Sequence, residues 1–170
     1  MSFEDALKKL KMVLFDVDGV LTDGRLYLQE DGYELKSFNA RDGLGMKMLM
    51  DNGIVCGIIS GRDAKTVDIR MRELGITEVH QGISDKIAVY EQLKEKYGLD
   101  DEEIAFVGDD VPEIEIFKKV GVAFAVQNAH ELARNYADYV TNNNGGMGAV
   151  REVCDLILKS RGKEPYVPKK

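Results

Sequence analysis

Two kinds of hydrophobic pattern alternate along the chain. Met12 to Phe15, Ile54 to Ile59, Ile104 to Val107 and Val122 to Val126 are near-continuous apolar runs rich in β-branched and aromatic residues. Strands buried on both faces read this way, because neither face meets water. Between these runs the apolar residues take helical spacing. Ala64, Val67, Met71 and Leu74 form one such stripe, closed by Gly75, and Ile87, Tyr90, Leu93 and Tyr97 form another, closed by Gly98. Pro112 suits the first turn of a helix running to Gly121, and Asn128 with Glu131 resembles a capping box for the next helix. Strand–helix alternation predicts an α/β fold, a Rossmann-like and mostly parallel sheet with helices on both faces.

One segment breaks the rhythm. Leu26-Tyr27-Leu28 and Glu34 to Phe38 flank Glu30-Asp31-Gly32, which predicts a β-hairpin over about residues 25–38, after the first strand. Residues 1–160 read as a single core domain. Residues 161–170 are basic, contain Pro165 and Pro168, and read as a flexible C-terminal tail.

Composition narrows the classes of function. A chain of 170 residues buries enough surface to fold as one domain without a disulfide or structural metal. Its net charge of -7 gives no broad attraction for nucleic acid or anionic lipid, so an anionic substrate has to be drawn by a local cation. Cys56 falls in an apolar run and Cys154 in the helical stretch Val150 to Leu158. Both read as buried reduced thiols of a cytoplasmic protein. Met1-Ser2-Phe3-Glu4-Asp5 lacks the basic and apolar regions of a signal peptide, and no apolar run approaches the roughly 18 residues that span a bilayer.

The polar residues with chemical potential stand where strands end. Asp16-Val17-Asp18-Gly19-Val20-Leu21-Thr22 follows the first run, Ser60-Gly61-Arg62 the second, and Gly108-Asp109-Asp110 a later one, while Lys86 opens a helix. Open parallel sheets bind ligands beyond the carboxyl ends of their strands. Four chain segments therefore deliver carboxylates, a hydroxyl and an ammonium to one rim. Convergent carboxylates repel unless a cation lies among them, and hard oxygen donors without a histidine cluster point to Mg²⁺.

These four segments, in this order, resemble the motifs of the haloacid dehalogenase superfamily of phosphohydrolases. The resemblance covers nearly the whole chain. It implies that Asp16 attacks phosphorus to form an aspartyl-phosphate, that Asp18 is the acid–base, and that Ser60 and Lys86 bind the phosphoryl group. It further implies Mg²⁺ held by Asp16, Asp109 and the main-chain carbonyl of Asp18, with Asp110 and Glu113 supporting from behind. Glu113 stands where the family often has an aspartate.

The stretches between Asp16 and Ser60 and between Arg62 and Lys86 are filled by the expected elements, which leaves no cap domain. Asn39 to Leu49, Gln81 to Lys86 and Gly145 to Asp155 resemble the capless branch that hydrolyses an eight-carbon 3-deoxy-ulosonate 8-phosphate in lipopolysaccharide synthesis. That branch implies a homotetramer whose hairpins close neighbouring sites and whose tail reaches a neighbour. Arg62 is the first candidate for a substrate carboxylate, with Arg70 and Lys47 behind it; each also reads as a solvated helix-face charge.

Alternatives stay open at this point. They are a phosphatase for another sugar acid, such as a nine-carbon ulosonate 9-phosphate, and a non-catalytic oligomerisation module. A phospho-receiver domain is disfavoured by Asp18, which would shorten the life of an acyl-phosphate. Asp42-Gly43 reads as a helix cap, Asp23-Gly24 as a turn, Gly145-Gly146 as a loop, and His80 and His130 as structural.

Overall fold

The computed structural model describes residues 2–163. The expected tail beyond 163 lies outside them. The elements run α1 (Phe3–Lys9), β1 (Met12–Phe15), β2 (Tyr27–Leu28), β3 (Glu34–Leu35), α2 (Ala40–Asp51), β4 (Val55–Ile59), α3 (Lys65–Leu74), β5 (Glu78–His80), α4 (Lys86–Tyr97), β6 (Ile104–Gly108), α5 (Ile114–Phe117), β7 (Val122–Ala125), α6 (Glu131–Tyr136), β8 (Tyr139–Val140) and α7 (Ala149–Ser160).

Six strands form one parallel sheet in the order β5-β4-β1-β6-β7-β8. The residues of β1, β6 and β7 are buried throughout, as their unbroken apolar runs require. Connections from β1 run outward to β4 and β5, then return across β1 to β6, β7 and β8. Right-handed crossovers in opposite directions place their helices on opposite faces of the sheet. On one side α2 packs against α7, and α7 against α1; on the other α5 packs against α4 and α6. The order reverses beside β1, and the crevice at that reversal is where a ligand site forms in such sheets.

Two helices end as their sequences dictate: Gly75 and Gly98 cap α3 and α4 in the left-handed region, at φ 78° and 61°. Three local readings are corrected. The helix expected from Pro112 to Gly121 is a 3₁₀ turn over Val111–Glu113 followed by the single-turn α5. Its tight start comes from a capping box, in which Glu113 Oε2 accepts from the Asp110 amide at 2.9 Å. The cap of α6 is His130, whose Nδ1 accepts from the Leu132 amide at 3.1 Å. Asn128 instead accepts the Gly145 amide at 3.0 Å, across the fold.

The third correction concerns Asp42. Asn39 caps α2, taking the amides of Arg41 and Asp42. Asp42 is buried and serves a different helix: its Oδ1 accepts from the Arg151 amide of α7 at 2.9 Å. The N-cap position of α7 is Gly148, which has no side chain for the task. One carboxylate thus ties α2 to the start of α7. Burial pushes the Asp42 pKa up, opposed in part by the amides of Arg151 and Gly148.

Asp42→Ala should lower stability by about 1–2 kcal/mol, because it strands the first-turn amides of α7. Asp42→Asn, which keeps an acceptor, should lose less. Urea unfolding of the two variants checks the order, and equal losses would show that the cap is not the source.

Candidate active site

The cleft is built around the end of β1. Phe15 pairs in register with Ile58 of β4 and Val107 of β6, so Asp16 emerges level with the ends of both neighbours. Ser60 follows β4 on one side and Asp109 follows β6 on the other. Lys86, first residue of α4, reaches in from beyond β5. Asp16, Asp18, Ser60, Arg62, Lys86 and Asp109 all line one open cleft of about 730 Å³.

Asp16 is buried. Its Oδ1 accepts the Val17 amide at 2.8 Å and lies 3.1 Å from Lys86 Nζ. Lys86 Nζ also lies 2.6 Å from Glu113 Oε1. Carboxylate oxygens of Asp16, Asp109 and Glu113 come within 4.8 Å of one another. Burial raises the Asp16 carboxyl to about 6, with Lys86 pulling it down and Glu113 pushing it up. Burial, reinforced by the charges of Asp16 and Glu113, raises Asp109 to about 8. Burial disfavours the charge on Lys86, but Asp16 and Glu113 outweigh it and hold the ammonium above its ordinary pKa. The donor set is all oxygen, compact and short of positive charge, which fits a hard divalent cation such as Mg²⁺.

Glycine makes this crowding possible. Gly19 has φ 83°, and a Cβ there would lie 1.9 Å from Asp109 Oδ2. A side chain at Gly145 would lie 1.6 Å from the Gly19 carbonyl oxygen, so the loop before α7 rests directly on the loop after β1. Gly145-Gly146 is therefore a backbone-to-backbone contact as well as a loop. Thr22, buried beneath, accepts the amides of Gly19 and Gly24, each at 3.2 Å.

The supporting residues differ in how they act. Glu113 holds Lys86 with one oxygen and the Asp110 amide with the other. Asp110 is exposed, its own carboxylate turns to the Val111 amide at 2.8 Å, and its main-chain amide is the group that Glu113 takes. The Asp18 carboxylate is not in the acid cluster; it pairs with Lys36 Nζ at 2.6 Å. Arg62 pairs with Glu34, leaving half of its side chain exposed to the cleft. Arg70 and Lys47 are not brought into the cleft of their own chain. Arg70 points along α3 to Glu73 and lies against Gly43, and Lys47 sits on the exposed side of α2.

Sequence reasoning missed Glu34, Lys36 and Thr22. The first two carried a signal, since residues two apart in a strand share a face. His80 lies 3.0 Å from Glu78 on β5, and Asp23 accepts from the Arg25 amide and the Tyr27 hydroxyl, in keeping with their structural readings. Cys56 and Cys154 are buried free thiols, both raised in pKa by burial. Among the described residues no helix is long and apolar enough to cross a membrane.

Comparison with known proteins places this geometry. The family model of haloacid dehalogenase-like hydrolases matches residues 72–153. The 3-deoxy-D-manno-octulosonate 8-phosphate phosphatase KdsC of Escherichia coli K12 is 46% identical over 156 residues, 92% of this chain and 83% of that protein. The crystal structure of the phosphatase of that name from Yersinia pestis superposes with a TM-score of 0.92 at 42% identity, covering 94% of this chain and 86% of that one. Its counterpart from Moraxella catarrhalis, solved with magnesium, phosphate and a KDO molecule, has a TM-score of 0.90 at 41% identity, over 92% of this chain and 90% of that one. Likeness of this degree over most of both chains leaves one assignment: the chain belongs to the haloacid dehalogenase-like hydrolases, in the capless form its sequence motifs describe.

Proposed function

We propose that this chain is a Mg²⁺-dependent phosphomonoesterase that converts 3-deoxy-D-manno-octulosonate 8-phosphate to the free sugar acid and phosphate, a step of lipopolysaccharide synthesis. The observation that carries the reading is Asp16 at the end of the central strand, with Lys86 at 3.1 Å and Asp109 and Glu113 beside it. The names of its relatives supply the substrate.

Asp16 attacks phosphorus, so a bond from its carboxylate oxygen to phosphorus forms as the bond to the sugar oxygen breaks. Asp18 gives a proton to the departing alkoxide. In the second half Asp18 takes a proton from water, the water oxygen bonds to phosphorus, and Asp16 and inorganic phosphate are released. Ser60 donates to a phosphoryl oxygen, and Lys86 balances the charge shared by Asp16 and the phosphoryl group. Asp16, Asp109 and the Asp18 carbonyl would hold Mg²⁺, which supplies positive charge against the phosphoryl oxygens. Glu113 keeps Lys86 in place.

The working form is a homotetramer in the cytoplasm. Leu26, Tyr27, Leu28, Tyr33 and Leu35 of the hairpin are all exposed, and the two paired strands have two residues each. An isolated hairpin is marginal in water, so these side chains call for a second copy. The open cleft beneath them gains a wall by the same contact. The two buried free thiols suit a reducing compartment.

Phosphate release from sugar phosphates, including eight- and nine-carbon ulosonates, should require Mg²⁺ and favour the eight-carbon acid, and Asp16→Asn should abolish it. A nine-carbon preference would move the pathway and keep the mechanism; no release from any ester would restore the non-catalytic module. Gel filtration should show an oligomer, whereas an active monomer would refute the shared wall. Stability carries a further sign. Asp16 and Asp109 ionise near 3.8 when unfolded and near about 6 and about 8 when folded, so the metal-free fold loses stability as pH rises between these limits. A cation competes with those protons. The rise in Tm on adding Mg²⁺ should therefore be larger near pH 8 than near pH 6, and a pH-independent rise would place the ion elsewhere.

A further inference from the structure

The hairpin sends two charged side chains back into the cleft. Glu34 and Lys36 stand two apart in one strand direction and share a face. The Lys36 side chain is only 3% exposed, and its Nζ lies 2.6 Å from Asp18 Oδ1 and 3.2 Å from Glu34 Oε2. The Glu34 side chain, 10% exposed, also takes the Arg62 guanidinium. The four groups make an unbroken row, Arg62–Glu34–Lys36–Asp18, of alternating sign. Burial would raise the Glu34 pKa, yet hydrogen bonds from Arg62 and Lys36 outweigh it and hold the carboxyl below its ordinary value.

A buried ammonium has little water to satisfy it, so its charge is divided between the carboxylates it touches. Lys36 touches two. Glu34, in turn, is shared between two cations. Whatever takes Arg62 away from Glu34 leaves that carboxylate with Lys36 alone and strengthens its pull on the ammonium. Arg62 is half exposed to the cleft and offers a planar pair of donors suited to a carboxylate.

We propose that Lys36 is a positioning residue for Asp18 and that Glu34 links this position to Arg62, so that a phosphomonoester carrying a second anionic group on its alcohol releases Asp18 toward the leaving oxygen by occupying Arg62. With Arg62 on Glu34, Lys36 holds Asp18 aside. With Arg62 on the substrate, Glu34 draws Lys36 and the Asp18 carboxylate turns to the ester oxygen. Selectivity for a sugar acid then lies in turnover as well as in binding, and an ester without the second anion is processed with Asp18 poorly placed.

The inference rests on Asp18 being the acid of the proposed mechanism, and its test separates the two. Three esters are compared: the sugar-acid phosphate and a sugar phosphate of similar size without a carboxylate, whose alkoxides need a proton, and p-nitrophenyl phosphate, whose phenolate leaves without one. Lys36→Met releases Asp18 whatever Arg62 holds, so kcat on the sugar phosphate without a carboxylate should rise at least about tenfold relative to kcat on the sugar-acid phosphate. Lys36→Arg, which keeps the cation, should lose most of that gain. Glu34→Gln should shrink the ratio of kcat for the sugar-acid phosphate to kcat for a sugar phosphate of similar size without a carboxylate. Equal losses on all three esters for Lys36→Met would mark a collapsed hairpin and overturn the proposal, as would an unchanged ratio between the two sugar esters in both variants, or an effect confined to KM. Asp18→Asn is the control for the underlying reading, measured as the rate of aspartyl-phosphate formation because its kcat falls on every ester once the intermediate has no base. If that rate falls equally on the sugar-acid phosphate and p-nitrophenyl phosphate, the acid assignment fails; if it falls on the first alone and Lys36→Met leaves the ratio between the two sugar esters unchanged, the positioning role alone fails.

Discussion

Three carboxylates that repel one another meet at the end of one buried strand, and Lys86 is the cation between two of them. Asp16, Asp109 and Glu113 approach within 4.8 Å, and Lys86 touches Asp16 and Glu113. At such separations in a poorly hydrated site, like charges cost several kcal/mol unless neutralised by protons or cations. The raised carboxyls of Asp16 and Asp109 are the protonated answer, and a divalent ion is the other. A ligand that brings positive charge offsets this repulsion, which suits the site to a phosphoryl group held with a metal.

The rest of the fold keeps this crowding in place. Hydrogen bonds of β1 to β4 and β6 set the level of Asp16, and Gly19 removes the side chain that would strike Asp109. Gly145 brings the loop before α7 onto Gly19, while Asn128 holds the Gly145 amide and Asp42 holds the first turn of α7. The polar positions that sequence patterns first suggest as ordinary caps are therefore braces between distant segments. Their role is to fix the loop after β1 from outside the cleft.

Much of this was legible in the residues. Unbroken apolar runs marked the buried strands, and polar clusters at their carboxyl ends marked the rim, because a parallel sheet confines ligand chemistry to that edge. Asp16, Ser60 and Asp109 stand where that rule looks, and Lys86 opens the helix after β5. Asp42, Asn128 and His130 did not, since capping signatures identify a residue able to cap and not the helix it serves. Glu34 and Lys36 could be placed on one face by their spacing, but which face a hairpin turns inward depends on how it folds back over the sheet. Arg70 and Lys47, the weaker candidates for a substrate carboxylate that also read as solvated helix-face charges, lie outside the cleft of their own chain.

The most direct test of the central claim is a pre-steady-state measurement on the Asp18→Asn variant with p-nitrophenyl phosphate. This ester needs no acid to form the aspartyl-phosphate, while hydrolysis of the intermediate needs a base. The account predicts a burst of roughly one nitrophenolate per site, then slow release, with phosphate recovered on Asp16 after acid quenching. Steady release with no burst and no phosphate on Asp16, by a variant that still turns the ester over, would contradict it.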